Sequence, residues 1–556
     1  MPKLTIDGRE IEVPPGTNLI EAARAAGVEI PYFCYHPYLK VVGQCRICMV
    51  EIVGQPRLAI ACATPAAEGM VVKSETSARA KEAREAVMEF LLENHPLDCP
   101  VCDQAGECLL QDHSMSEQGS TFATHMVDSR RTFPGYERRR IGPHIVQNQN
   151  RCIFCSRCIR FSQEVSETCA LTYKSRGNQT YIDTFNGMPL DDPMSACVAD
   201  VCPVGALTVR EFRFRKRAWK LRSTPSVCPG CSIGCNLWID HHERAVYRFT
   251  PRENREINAS WLCDHGRFLA ESLNEQAYLY PHHRVGNQLA RVSWGEAISA
   301  LALDLSAAAR IRVVASANLS NEELYLARQL FRRQLRGEVV VPVFAGEPRR
   351  MKNGRNEWIT STDAHPNAAG ARRLGLETVD AEGLSRFLYG AADLTIILDA
   401  AAHPFLTTQE ALQLLRVGPS IAFVRTEHPL ANVGGWLLPI PSLASNEGTF
   451  TSSTGAVQRF SPAFAPPGVV RRTPTGGMSP TVPTIASPWG PPGEARPLWL
   501  VLTALARALG FAALDFPHPA EIFDQMARIE KSFAGLTWDR LGGAERNSFR
   551  ERQHVG

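Results

Sequence analysis

Arg151-Cys-Ile-Phe-Cys-Ser-Arg-Cys-Ile-Arg160 places three cysteines two residues apart, and the remote Cys202-Pro203 supplies a fourth followed by proline. A C-x2-C-x2-C run with a distant Cys-Pro is the ligand pattern of a bacterial-type [4Fe–4S] ferredoxin. The tight run wraps three thiolates around one cluster, and the remote cysteine closes the fourth corner. A two-cluster ferredoxin would repeat the run. Here the nearest extra cysteine, Cys197, lies off register, so Cys152, Cys155, Cys158 and Cys202 form a single set. Cys169 and Cys197 are left over and read as small buried hydrophobes.

Working outward, all seventeen cysteines lie in the first 263 residues of the 556. Three more four-residue sets follow from spacing. Cys34, Cys45, Cys48 and Cys62 read C-x10-C-x2-C-x13-C, which lengthens the first gap of a plant-type [2Fe–2S] loop and keeps its close pair. Gly43 permits the tight turn before that pair. His95, Cys99, Cys102 and Cys108 read H-x3-C-x2-C-x5-C. One imidazole in place of a thiolate removes negative charge and raises a cluster's potential. Cys228, Cys231, Cys235 and Cys263 read C-x2-C-x3-C-x27-C, which is not the double C-x2-C of a zinc ribbon. Zinc is the alternative occupant of the first set. On spacing alone a zinc knuckle of three cysteines and one histidine competes for the second. The ferredoxin-like hairpin and helix favour an iron–sulfur cluster at the first set, and a place between other cluster motifs favours one at the second.

Local pattern gives each set a setting. Lys3-Leu-Thr-Ile-Asp-Gly-Arg-Glu-Ile-Glu-Val13 predicts a hairpin with an Asp-Gly turn. Asn18 and Glu21 predict a capping box, and Gly27 a left-handed helix end. Strands are expected over Cys48 to Val53 and Arg57 to Ala61. A helix is expected over Ser77 to Glu93 with Val87, Phe90 and Leu91 on its apolar face, ending before Pro96. Residues 113–135 are polar and read as a connector. Beyond 277 the texture changes. Ile311-Arg-Val-Val-Ala-Ser, Glu338-Val-Val-Val-Pro-Val, Leu394-Thr-Ile-Ile-Leu-Asp and Ile421-Ala-Phe-Val read as buried parallel strands. Helical patterns at Asn321 to Leu335 and Thr408 to Leu415 alternate with them. Residues 462–497 hold ten prolines and read as an extended linker. The last 15 or so residues read as disordered.

Bulk properties exclude several classes. Hydrophobic content of 44%, charged content of 21% and a net charge of +3 describe a globular chain with no basic field for nucleic acid. No direct membrane span is expected, since the best apolar stretch, Pro497 to Leu514, carries Arg507 and reads as a buried helix. No secretory segment precedes the hairpin, so a reducing compartment is expected, where metal sites outweigh disulfides. GxGxxG and Walker phrases are absent.

The four sets in this order resemble the large iron–sulfur subunit of respiratory complex I, the proton-pumping NADH:quinone oxidoreductase (the G subunit in bacteria). The phrases Cys102-Asp-Gln-Ala-Gly-Glu-Cys108, Arg151-Cys-Ile-Phe-Cys-Ser-Arg-Cys158, Cys202-Pro-Val-Gly-Ala-Leu207 and Leu262-Cys-Asp-His-Gly-Arg-Phe268 carry the resemblance. It implies a multidomain α/β and α+β chain. The parts are a β-grasp [2Fe–2S] ferredoxin over 1–78, a histidine-and-cysteine [4Fe–4S] segment over 79–118 and a [4Fe–4S] ferredoxin-like segment over 135–220. A molybdopterin-oxidoreductase-type [4Fe–4S] domain follows over 221–277, then a degenerate α/β body over 278–461, the linker over 462–497 and a helical region over 498–540.

The resemblance also implies the role. The Cys34 set would receive electrons from a flavin-binding, NADH-oxidising subunit and the Cys152 set would relay them. The His95 set would pass them to quinone-module iron–sulfur subunits, with the Cys228 set off the path. Other peripheral-arm subunits would be partners, and the place would be the cytoplasmic face of the inner membrane, held through the complex. No independent substrate site or catalytic residue is expected.

The body resembles molybdopterin oxidoreductases at Val292-Ser-Trp-Gly-Glu-Ala-Ile and Asn446-Glu-Gly-Thr-Phe-Thr451, with departures. His265 stands where active members carry Lys. Ser452, Thr454 and Ala456 stand where they tend to carry Asn, Glu and Arg. No cysteine follows Cys263 to hold molybdenum, so no molybdopterin is expected. The chain is also short for the family. The alternatives are the large subunit of an NAD-linked formate dehydrogenase, the electron-transfer subunit of an NAD-reducing hydrogenase and a zinc-dependent structural protein. One [2Fe–2S] and three [4Fe–4S] clusters require about fourteen irons per chain. Iron and acid-labile sulfide analysis checks this, and a preparation holding only zinc contradicts it.

Overall fold

The computed structural model describes residues 1–117, 131–275, 278–400, 404–416, 418–464, 471–472, 478–479 and 495–541. The larger part of the expected linker over 462–497 lies outside these residues, as do the expected disordered end and most of the 113–135 connector. The chain forms two compact units that divide between Leu221 and Arg222.

The first unit opens with the expected hairpin, Lys3–Ile6 against Arg9–Glu12, paired Leu4 to Ile11 and Ile6 to Arg9. A mixed five-stranded sheet grows from it in the order Arg9–Glu12, Lys3–Ile6, Val71–Lys73, Met49–Ile52, Ala59–Ile60. Alternation puts Leu4, Ile6, Val50, Ile52 and Val72 on one face, where they meet Leu19 and Ile20 of the helix Leu19–Ala25. Asn18 caps that helix by accepting from Glu21 N at 3.0 Å. The expected reciprocal bond is replaced: the Glu21 carboxylate pairs with Arg24 and accepts from Tyr35 Oη at 2.8 Å. Gly27 takes φ +70°, as the left-handed end requires.

The second helix, Ala78–Asn94, buries a different stripe from the one expected. Ala80, Arg84, Met88 and Leu92, spaced by four, face inward, while Phe90 is 74% exposed. The cause is Arg84. Its guanidinium is fully buried and donates to Glu75 Oε1 at 2.8 Å, to Ser74 Oγ and to Met49 O. A charged side chain with all these acceptors belongs inside, and hydrophobic periodicity alone cannot anticipate it. The remainder of this unit packs the helices Arg157–Glu164 and Cys197–Val201 beside Ile145–Gln147 and Leu207–Val209, which pair antiparallel.

The second unit begins with three antiparallel strands, Arg222–Val227, Asn236–His242 and Ala245–Pro251. Its body is an eight-stranded sheet. Six strands run parallel: Ile311–Ala315, Glu338–Pro342, Glu377–Val379, Leu394–Leu398, Ser420–Val424 and Trp436–Pro439. Numbered in that sequence they lie 3-2-1-4-5-6, the order of a doubly wound sheet. The four apolar runs are therefore adjacent central strands, buried on both faces. Val313, Ile396 and Phe423 enter one core, and Val314, Ile397 and Val424 the other. The helix Leu498–Ala508 seals the first core, and its Arg507 turns outward to pair with Asp515. Among the described residues no helix is long and apolar enough to cross a membrane.

The phrase Asn446–Thr451 is a buried polar clasp. Thr449 donates to Glu322 through its N–H at 2.8 Å and its Oγ1 at 2.7 Å. Asn446 Nδ2 donates to Glu323 Oε1, Asn321 Nδ2 to Thr449 Oγ1, and Thr451 N to Asn367 Oδ1. Gly448 is obligatory there, because a Cβ would stand 2.6 Å from Ser320 Cβ. Burial pushes Glu322 up to about 7 against the bonds from Thr449. The folded value exceeds the unfolded one, so the folded state keeps the proton between them. This contribution to stability is complete below about pH 4.5 and is lost as pH rises through about 7. Glu322→Gln should remove a pH-dependent loss on the order of 2–3 kcal/mol between pH 5 and 8, read by denaturant unfolding.

Candidate metal centres

The first predicted set sits on the loop between the helix Leu19–Ala25 and the strand Met49–Ile52, with Cys62 in the turn Ala61–Ala63 after Ala59–Ile60. Gly43 at φ +58° makes the turn into Cys45; a Cβ there would meet Ile60 Cδ1 at 2.7 Å. The four thiols form two pairs. Cys34 N donates to Cys45 Sγ at 3.4 Å and Cys45 N to Cys34 Sγ at 3.5 Å. Cys48 and Cys62 face each other, and the Cys48 carbonyl accepts from Ala61 N. The Cys45 thiol beside it holds Cys34 down to about 5, with help from Arg160, and Cys48 likewise lowers Cys62. Their partners Cys45 and Cys48 are pushed up. Two thiol pairs fit a two-iron unit with two thiolates per iron.

The second set is carried by the end of the helix Ala78–Asn94 and the loop that follows. His95 caps the helix, Cys99 begins a short turn, and Cys108 precedes the helix Leu109–Glu117. Cys102 and Cys108 are buried, and burial pushes Cys108 up to about 12. Cys99 is exposed. The loop is pinned by Arg217, which donates to Cys102 O at 2.7 Å and to Pro100 O, and by Asp103, which accepts from Phe214 N. Gly205 packs so closely that a Cβ would stand 2.2 Å from Cys102 Sγ.

The third set is brought together completely. Cys152, Cys155, Cys158 and Cys202 line one cavity with Ile153, Ile182, Val204 and Leu207. Phe154 at φ +56° and Ser156 at φ +60° bend the run around that cavity, in a conformation L residues avoid without compensation. Burial pushes all four thiols up. An apolar cavity whose sulfurs come from all four predicted positions fits a cluster bonded to thiolates. The leftover cysteines divide. Cys197 is fully buried, as expected. Cys169 is exposed, which corrects its reading as a buried hydrophobe: at φ +50° it turns the chain out of the helix Arg157–Glu164.

The fourth set lies in the second unit. Cys228, Cys231 and Cys235 occupy the loop between the first two antiparallel strands, closed by Cys228 N donating to Cys235 O at 2.8 Å. Cys263 caps the helix Asp264–Phe268, and its Sγ accepts from Gly266 N at 3.4 Å. A Cβ on Gly266 would lie 2.7 Å from Cys228 Sγ, so the helix start must be bare to reach the loop. Burial pushes these thiols up, opposed by the charge of Arg349 at Cys228, Cys231 and Cys263. The hairpin Gly448–Thr451 and Val457–Phe460 supports the loop through Gln458, which donates to Gly234 O at 2.8 Å. Ser452 Oγ and Thr454 Oγ1 lie 2.8 Å apart and bond each other, and Ala456 N donates to Ser452 Oγ.

Among the described residues, no three Cys, His, Asp or Glu side chains converge on a single ion-sized point. Segments carrying the first three sets touch. Gln44 Nε2 donates to Phe154 O at 2.8 Å, and Leu109 N donates to Pro203 O at 3.0 Å. Arg151 Nε donates to Asp98 Oδ2 at 2.9 Å. Phe33 meets His113 edge-on with centroids 5.3 Å apart. The arginines 151, 157 and 160 and Gly205 are the functional neighbours that spacing arguments overlook. The one available signal was that cations interleave with the cysteines of the central run.

Four family models match. They are the 2Fe-2S iron-sulfur cluster binding domain over residues 2–77 and the NADH-ubiquinone oxidoreductase-G iron-sulfur binding region over 84–117. The ferredoxin-like domain of NADH-quinone oxidoreductase subunit 3 matches 142–208, and the NADH-ubiquinone oxidoreductase NDSU1/NuoG-like 4Fe-4S domain matches 221–271. Each predicted set falls inside one of these spans. The chain is 42% identical over 300 residues to the mitochondrial 78 kDa subunit of NADH-ubiquinone oxidoreductase from Neurospora crassa, covering 54% of this chain and 40% of that one. It is 42% identical over 302 residues to the G subunit of NADH-quinone oxidoreductase from Rickettsia bellii, covering 54% and 44%. The chain thus spans less than half the length of these curated relatives. A solved chain of an NAD+-reducing [NiFe]-hydrogenase is 32% identical with a TM-score of 0.35, covering 39% of this chain and 91% of that one.

In protein that carries iron–sulfur clusters at these two sets, Gly205→Ala should abolish the electron paramagnetic resonance signal of the one at Cys102 and leave that of the Cys34 set intact. Retention of all signals contradicts the close approach.

Proposed function

We propose that this chain, similar to the G subunits of NADH-quinone oxidoreductases, is an electron-relay subunit of a proton-pumping NADH:quinone oxidoreductase. It takes single electrons from a flavin-binding, NADH-oxidising partner and passes them toward quinone through partner iron–sulfur subunits. The four predicted sets hold one [2Fe–2S] and three [4Fe–4S] clusters, within the parts bounded at 78, 118, 135, 220 and 277. The protein is peripheral, at the cytoplasmic face of the inner membrane.

The carrying observation is the order in which the first three sets touch. The loop of the first set bonds the central run through Gln44 and Phe154, and the residues after Cys202 and Cys108 bond each other through Pro203 and Leu109. These two contacts support a relay in which the Cys152 set stands between the others, beside the direct ring contact of the first and second segments at Phe33 and His113. The third member in that order is the most open. Cys99 is exposed, and the exposed Leu97, Val101, Phe214 and Trp219 belong to the segments around it. An apolar rim at an open thiol suits a partner that receives the electron.

When bound, the clusters supply one-electron chemistry that needs no substrate pocket. The protein's residues do the rest. Burial excludes water from most of these cysteines, the bent run fixes three sulfurs, and the interleaved arginines counter the negative charge. The body is a scaffold without molybdopterin. Its pterin-like phrase is committed to the Glu322–Thr449 clasp, and Ser452 and Thr454 bond each other, so these residues do not fit an anionic pterin.

Cys152→Ser in the assembled complex should stop NADH-to-quinone electron flow with NADH oxidation by artificial acceptors retained. Cys231→Ser should lower stability and leave flow intact. Stoichiometric molybdenum in the purified protein, or flow that survives loss of the Cys152 centre, overturns this reading.

A further inference from the structure

The helix Arg157–Glu164 carries two arginines one turn apart, and both point into the first unit. Each is about 5% exposed or less. Arg160 donates through Nη2 to Cys34 O and, at 3.4 Å, to Cys155 O. Its Nη1 donates to Lys40 O at 2.6 Å and its Nε to Ser156 Oγ at 3.2 Å. One guanidinium therefore holds the carbonyl of a cysteine from the first set and that of a cysteine from the third. Arg157 repeats the pattern one turn earlier. It donates to Tyr35 O, next to Cys34, and at 3.3 Å to Val201 O, next to Cys202. Among the described residues neither arginine forms an ion pair with a carboxylate. Two cations are thus buried among neutral carbonyls, between the cysteines of two sets. Burial of a cation is costly unless negative charge lies close, and the anionic metal–thiolate groups of the two sets are the charge that placement fits.

We propose that Arg160, with Arg157 behind it, is a buried cationic strut shared by the [2Fe–2S] and the central [4Fe–4S] sites, which sets their reduction potentials together and fixes the gap between them. This rests on the electron-relay reading. The transfer it serves moves one electron from the reduced first centre to the oxidised second. The first is oxidised by one and the second reduced by one, with no bond broken and no proton required. A positive charge beside both stabilises the more negative reduced state of each, so both potentials rise. The planar fork matters as well as the charge, because a single ammonium cannot reach both carbonyls with the same geometry.

The test uses the full chain in its assembled complex, with redox titration followed by electron paramagnetic resonance. In Arg160→Gln the midpoints of the Cys34 and Cys152 centres should fall together, while that of the His95 centre stays. In Arg160→Lys both should return most of the way. Joint loss of those two centres with the His95 centre retained is also the behaviour of a shared strut. A shift or loss confined to one of the two, no shift in either, or loss of all three centres overturns the proposal. If the wild-type complex carries clusters that titrate but the variants behave as in these last cases, the strut fails and the relay reading stands. If wild-type protein has no such clusters, the relay reading itself fails and the strut falls with it.

Discussion

The first unit is governed by the cost of burying thiolates. A cysteine taken out of water keeps its proton, and burial pushes the thiols of the central cavity upward. Metal binding requires the opposite, since the ligand is the thiolate. The fold must therefore concentrate sulfur where water is excluded and still provide positive charge. It does so by lining the cavity with Ile153, Ile182, Val204 and Leu207 and by threading arginines through the same run that carries the cysteines. The helix Arg157–Glu164 is the compromise in one element: Cys158 faces the cavity, while Arg157 and Arg160 reach the neighbouring loop.

A related constraint, the cost of burying polar groups without partners, governs the body. A doubly wound sheet offers a crevice at the carboxyl ends of its strands, where such folds commonly bind ligands. Here the polar residues of the phrase Asn446–Thr451 are directed to Asn321, Glu322, Glu323 and Asn367, so the acceptors and donors are satisfied internally. A buried network with all members paired rigidifies the region around it. Through Gln458 and Gly234 that rigidity reaches the loop of the fourth set.

Much of this was legible in the sequence, for physical reasons that also mark its limits. Spacing within a tight loop constrains geometry strongly, and the four cysteines grouped by spacing line one cavity. Parallel strands buried on both faces give continuous apolar runs, and four of these became adjacent strands. The helix Ala78–Asn94 was visible, but its inward face was not, because Arg84 is buried by partners distant in sequence, Met49 and Ser74. Cys169 failed for a similar reason. Burial is a property of the packed chain, and a left-handed turn can expose any residue. Gly205 was opaque because its role is to leave space for Cys102, about a hundred positions earlier.

The buried arginines act on two sites at once. A cation bonded to sulfur itself would favour one centre over its neighbour. Arg160 instead bonds carbonyls on two loops, standing back from both sets while remaining close to each. Its charge then acts on the two in the same direction, and a change that moves one potential moves the other. A strut that bonds both loops also resists their separation. Transfer between centres depends on that distance more steeply than on driving force. Placing the cation on the shared carbonyls thus serves spacing and energy with one side chain.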